Sequence, residues 1–173
     1  MDALREYNIE FVKLTLGDHK FEYHLTDEFF KAFSSSLLSE DIQVNLLFHK
    51  SNTMFTLVFE LSGKLGLECD RCLSAIDLPV KGKHTVLVKI TDYPMENEDD
   101  LIYLGSHEYK LNIAQHLYDF VCLSVPIKKT CEDVGRLCDP AMTSNITSII
   151  DIDNGDRLPD RDSDEEDEEE EQL

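Results

Sequence analysis

Apolar residues recur at every second position through two stretches of the chain. Ile42, Val44, Leu46 and Phe48 alternate with Gln43, Asn45 and Leu47, and beyond Lys50-Ser51-Asn52 the set Phe55, Leu57, Phe59 and Leu61 repeats that period. A period of two puts alternate side chains on one face of a strand, so these stretches predict two antiparallel strands with one buried face. The second runs on through Gly63, Leu65, Gly66 and Leu67 to Cys69, and its two glycines point to a bulge or a close backbone approach. From Leu73 the chain returns through Val80, Gly82, His84, Val86, Val88 and Ile90, again at period two. The turn Cys69-Asp70-Arg71-Cys72 is therefore expected at or near the tip of a long hairpin.

Around this centre the signals are shorter. Residues 9–14 partly alternate, and Gly17-Asp18 reads as a turn into residues 20–25, which together predict a β-hairpin. Thr26-Asp27 is placed to cap a helix from residue 28 to about 34, because a side-chain oxygen there can accept the first unpaired amides. Residues 92–100 are acidic, contain Pro94 and lack periodicity, as a solvated loop does. Residues 101–104 predict a further strand. Asn112 is expected to cap a helix that carries Ile113, Leu117, Phe120, Val121 and Ser124 on one face and is closed by Pro126. Such a helix would cover the sheet. The segment holding Lys128, Lys129, Cys131, Gly135 and Cys138 is too rich in polar and turn residues for a helix and reads as a loop held by something. No internal repeat is visible. The pattern predicts an α+β domain, mainly antiparallel sheet with one principal covering helix.

Length and charge add a boundary. The chain has 173 residues and a net charge of −20, enough for one packed domain with a tail. Residues 151–173 hold thirteen acids against Arg157 and Arg161, so they carry −11 and the preceding 150 residues carry −9. The acidic run 164–171 repels itself and has nothing to bury, so residues 148–173 are expected to form a disordered acidic tail behind a domain of residues 1–147. A body this negative excludes polycation-style binding of nucleic acid, and any such contact needs a local basic patch.

The N-terminus lacks a basic stretch followed by an apolar run, and no segment reaches about 18 unbroken apolar residues, so a soluble cytoplasmic protein without membrane contact is expected. In that reducing setting the five cysteines, an odd number, are poor disulfide partners. A Cys-x-x-Cys turn sets two sulfurs on one side, half of a tetrahedral zinc shell, and Cys131 and Cys138 can complete Cys69 and Cys72 as the metal ligands, although their spacing is wider than usual. Two other readings stand beside this one. The cysteines can be small buried hydrophobes or remnants of a site whose metal is lost, or Cys69 and Cys72 a thiol oxidoreductase pair, although such pairs normally open a helix whose dipole lowers the thiol pKa, and here a β-period follows. Cys122 reads as core. The six histidines are scattered without metal or nucleophile spacing, and there is no phosphate loop and no nucleophile elbow, so an enzyme is not expected.

If the cysteine pairs meet, Arg71, Lys128, Lys129 and Arg136 gather around them, with Lys81 and Lys83 further back on the return strand. Those cations either offset a four-thiolate zinc site or form a docking surface for RNA phosphates. The tail is a solubilising extension, a competitor for that patch, or an adaptor that binds a basic protein.

Cys69-Asp70-Arg71-Cys72-Leu73 after a glycine-containing strand, with Asp119-Phe120-Val121-Cys122-Leu123-Ser124-Val125-Pro126 followed by Cys131 and Cys138, resembles the YceD family of large ribosomal RNA subunit accumulation proteins. The likeness spans about residues 10–145 and is carried by Cys69, Arg71, Cys72, Asp119, Pro126, Cys131 and Cys138. It implies a non-enzymatic factor that supports accumulation of large-subunit (23S) ribosomal RNA, and the expected work is ribosome assembly by binding that RNA or a basic ribosomal protein. The chain departs from the family pattern in Asp119, where Glu is usual, in Ser124, where a small apolar residue is usual, and in lacking a tight second Cys-x-x-Cys.

Overall fold

The computed structural model describes residues 4–34, 38–93, 95–96 and 100–142, with only the backbone described for residues 38–41. The tail expected at residues 148–173 lies outside the described residues. Two compact units are distinguished. The first, Met1–Cys138, contains every named strand and helix. In the second, Asp139–Leu173, the Oδ1 of Asp139 accepts the Ala141 amide at 2.9 Å.

The architecture is α+β, built on a five-stranded sheet. Its strands are β2 (Gly17–Leu25), β3 (Leu38–Lys50), β4 (Met54–Glu68), β5 (Ala75–Thr91) and β6 (Leu101–Gly105), hydrogen-bonded in that order. A two-residue ribbon pairs β1 (Asn8–Ile9) with β7 (Leu111–Asn112). The first three pairings of the main sheet are antiparallel. The last is parallel: the chain doubles back after Thr91 and enters β6 with Leu101 beside Leu87. Burial alternates along β4 and β5 as the period of two requires. One face of the sheet carries Val44, Leu46, Phe48, Leu57, Phe59, Val86 and Val88, all buried.

Two helices cover that face, α1 (Asp27–Ala32) and the longer α2 (Ala114–Leu123). The predicted apolar stripe of α2 is its buried side: Leu117, Phe120 and Val121 enter the core, and the ring centroid of Phe120 lies 5.1 Å from that of Phe59. Asn112 Oδ1 accepts the Ala114 amide at 3.0 Å and starts the helix. At its far end the helix sits directly on β5, where a Cβ added to Gly82 would stand 2.4 Å from Ser124 Oγ. Only a residue without a side chain permits that approach. Tyr118 of α2 stacks on Phe33 just beyond α1, with centroids 4.6 Å apart.

The expected N-terminal hairpin does not form. Residues 5–7 and 11–13 are 3-10 turns, and β2 pairs with β3 from Gly17↔Lys50 to Leu25↔Ile42. Tyr7, Ile9 and Phe11 are buried because the irregular segment presses them onto the edge of the core, with Phe11 5.1 Å from Phe55. Lys50 Nζ donates to the carbonyls of Phe11 and Leu14, both at 2.8 Å, and ties the segment down. Alternation of apolar residues marks every second side chain as inward, and a strand is only one way to satisfy it. The irregularity expected near Gly63 and Gly66 falls on the partner strand, where the register slips between Leu38 and Asp41. Cys122 is half-buried, not a core residue, because it lies off the inward stripe of α2.

Burial holds the His116 imidazole below its ordinary 6.5, against the raising effect of Asp119. The folded chain therefore resists a proton that the unfolded chain accepts near pH 6.5. Stability is expected to be full above that pH and to decline as pH falls through the folded value. Denaturation midpoints followed from about pH 8 to 5 should drop, and His116→Gln should flatten the drop. An unchanged slope in the variant would remove His116 as its source.

Candidate metal centre

β4 and β5 pair from Met54↔Lys89 to Glu68↔Ala75, so the hairpin runs about 50 Å to its apex. The apex is a tight turn. Leu73 donates its amide to the Cys69 carbonyl at 2.9 Å, and Ser74 returns a carbonyl to the Cys69 amide at 2.9 Å. Leu73 takes the left-handed conformation, φ +59, to close it. Cys69 and Cys72 thereby turn inward while Leu73 stays outside.

The second cysteine pair arrives on the segment after α2. Asp70 docks it in three ways: its amide donates to the Lys129 carbonyl at 2.9 Å, its Oδ2 accepts the Lys129 amide at 2.8 Å, and its Oδ1 accepts Lys129 Nζ at 2.6 Å. Thr130 and Asp133 then cap a 3-10 turn, Cys131–Val134, in a reciprocal box. The Arg136 amide closes back on the Cys131 carbonyl at 2.8 Å, which returns Cys138 to the apex.

Gly135 ends that turn at φ +70, with open space where a Cβ would be. A side chain there meets no clash, only the unfavourable left-handed backbone, worth about 1–2 kcal/mol. Gly135→Ala is accordingly expected to weaken metal binding by roughly 5- to 30-fold. A competition titration with a chelator reads this directly, and an unchanged affinity would mean that the turn does not position Cys138.

Together these contacts bring Cys69, Cys72, Cys131 and Cys138 to one point, with all four sulfurs within 4.8 Å of one another. Cys69 and Cys138 lie 3.7 Å apart and Cys72 and Cys131 3.5 Å apart, none of them in a disulfide. Sulfurs around a tetrahedral zinc with bonds near 2.3 Å stand about 3.8 Å apart, so the donor set is compatible with a metal ion. The thiol chemistry fits too. Burial pushes Cys69 up, but hydrogen bonds from the backbone amides of Cys72, Arg71 and Cys131 outweigh it and hold the thiol below its ordinary value. Cys138 is pushed up to about 12 by burial and by hydrogen bonds with the other three sulfurs. The Ser74 hydroxyl draws Cys131 down, yet burial and the hydrogen bonds to Cys72 and Cys69 leave it raised. Four sulfurs this close cannot all ionise without a cation between them.

The cations take different places. Arg71 is paired with Glu132 at 2.8 Å, Lys129 with Asp70, and Arg136 donates to the Ala75 carbonyl at 3.1 Å. Lys128 is exposed beside them. Lys81 and Lys83 stand six and eight residues up β5 from Ala75, about 20 Å or more from the apex. Lys83 is paired there with Glu60 at 2.8 Å.

Several supporting residues were not singled out from sequence. Ser74 Oγ lies 3.0 Å from Cys72 Sγ and 3.3 Å from Cys131 Sγ. Asp70, Glu132 and Ile76 also support the apex, and only Thr130-x-x-Asp133 carried a legible signal, that of a capping box.

No helix among the described residues is long and apolar enough to cross a membrane. No curated protein and no solved structure matches the chain. Residues 57–172, more than half of the length, match the family described as large ribosomal RNA subunit accumulation protein YceD. That span takes in most of the hairpin and both cysteine pairs, and the chain belongs to the YceD family.

Proposed function

We propose that this chain is a non-enzymatic assembly factor of the cytoplasm that supports large-subunit ribosomal RNA accumulation, the role its family description names, and that its working end is the cysteine-pinned apex. Zinc is the metal we assign to Cys69, Cys72, Cys131 and Cys138. Buried, all-sulfur, four-coordinate sites with no open position hold structural zinc, and such a site supplies folding energy and leaves no place for substrate. Arg71, Lys128, Lys129 and Arg136 are the residues at this end that meet a ribosomal partner, either RNA or protein, with Lys81 and Lys83 extending the contact along β5.

One observation carries the reading: two cysteine pairs remote in sequence are joined at the end of a long hairpin, away from the main core. The small cluster at the tip takes Ile76 from β5 and shares Leu67 of β4 with the main core, so the joined cysteine pairs close the end of the hairpin.

The test is complementation. In cells depleted of the chain, large-subunit ribosomal RNA is expected to fall relative to small-subunit RNA. Wild type should restore it, and a variant with Cys131→Ser and Cys138→Ser should not. Full restoration by that variant, present at wild-type level, would detach the role from the apex.

A further inference from the structure

We infer that the apex docks a protein and not RNA, and that its partner is a basic protein with an apolar pocket that receives Ile127 and Leu137. This rests on the reading above and names the partner class. Among the described residues, three large aliphatic side chains close in sequence to the apex cysteines or to the docked Lys129 are exposed. Ile127 is fully exposed, Leu137 is 92% exposed and Leu73 63% exposed. Each is tied by its neighbours: Leu73 follows Cys72, Leu137 precedes Cys138, and Ile127 stands two residues before Lys129, whose amide is held by Asp70. These side chains therefore stand in water on backbone that the apex contacts hold close by. Exposed aliphatics on rigid loops are the anchors that protein interfaces bury.

RNA fits the same surface poorly. Single-stranded RNA is gripped by aromatic platforms on which bases stack. Residues 67–78 and 121–139 contain no Phe, Tyr or Trp. Duplex RNA needs uncommitted positive charge, and of the four cations here Arg71 and Lys129 are already paired with Glu132 and Asp70, which leaves Lys128 and Arg136. Glu68, Asp70, Asp77, Glu132 and Asp133 outnumber the cations Arg71, Lys128, Lys129 and Arg136 around the apex. A zinc with four thiolates adds two more negative charges. The complement of such a surface is positive and apolar, as a basic protein with a hydrophobic pocket is.

The full-length zinc-loaded chain is labelled and titrated with protein extracted from purified large ribosomal subunits, and separately with the RNA of the same subunits. Saturable binding to the protein fraction is expected, with RNA bound at least about tenfold more weakly. A variant with Ile127→Ser and Leu137→Ser, checked for unchanged zinc content, should bind the protein fraction at least about tenfold more weakly. Tighter binding to RNA, no binding to either fraction, or protein binding that survives the double substitution would overturn the inference. The last result would mean general attraction of basic proteins to a chain of net charge −20. The complementation readout is separate. Restoration of ribosomal RNA by wild type with no protein binding would remove the docking inference alone. Specific docking with no effect on ribosomal RNA would remove the proposed role alone.

Discussion

A chain in which Cys69 and Cys72 are both serine is expected to lose tight metal binding and to release residues 129–138 from the hairpin apex while the sheet stays folded. The magnitudes decide this. The apex cluster buries Cys69, Cys72, Cys131 and Ile76, with Leu67 and Val134 packed against it in part, so its aliphatic content is small. Full burial of one such side chain stabilises by about 1.5–3 kcal/mol. Ordering a segment costs about 1–2 kcal/mol per residue, and this segment has about ten. Aliphatic burial alone falls short of that cost, whereas a structural zinc contributes on the order of 10–16 kcal/mol. Loss of two sulfurs should weaken the metal by far more than the roughly 100-fold that removal of an outer-shell partner costs. Metal per chain by mass spectrometry should fall from one to near zero, and amide exchange should accelerate across residues 129–138 but not in β3 or β4. Cys122→Ser, which leaves the four clustered sulfurs in place, should change neither. Retention of wild-type metal affinity by the double variant would remove the site.

Phe59→Ala is expected to destabilise the chain by about 3–5 kcal/mol, the range for deleting a fully buried aromatic. Phe59 has no exposure and faces Phe120 of α2, so the substitution opens a cavity between the sheet and its covering helix. Its neighbour Val58 points to the opposite face and is half-buried. Val58→Ala should cost only about 0.5–1 kcal/mol. Urea unfolding of both variants supplies the comparison. Similar losses at the two positions would mean that the sheet is buried on both faces. Because the apex forms its own cluster, the folded fraction of Phe59→Ala should still bind one metal with wild-type affinity.

Much of this architecture is legible in residue order because strand periodicity is local. Ile42 to Phe48, Phe55 to Leu61 and Val80 to Ile90 each alternate, and the turn between the last two is short enough to enforce pairing. The stripe Ile113, Leu117, Phe120 and Val121 is equally plain and is the buried side of α2. Residues 9–14 partly alternate too, yet Ile9 pairs in the short ribbon with β7 and residues 11–13 fold as a 3-10 turn over the core edge, where Lys50 holds the segment. The parallel seating of β6 on β5 was equally hidden, since a strand of five residues carries no mark of its direction. At the apex the four cysteines that come together are legible from their spacing, but the parts played by Asp70, Ser74, Glu132 and Ile76 are not. Their roles depend on which groups face them, and Asp70 meets Lys129 across 59 positions.

The amino-acid order by itself determined the long β4–β5 hairpin, the inward face of its strands, the covering helix and the four thiols, because each follows from contacts within a few residues. Tertiary packing alone decided that Cys131 and Cys138 close on Cys69 and Cys72, that Arg71 and Lys129 are spent on Glu132 and Asp70, and that Ile127 and Leu137 face water. Those outcomes depend on where α2 ends against Gly82 and so delivers the following segment. No local preference encodes that meeting of distant parts of the chain.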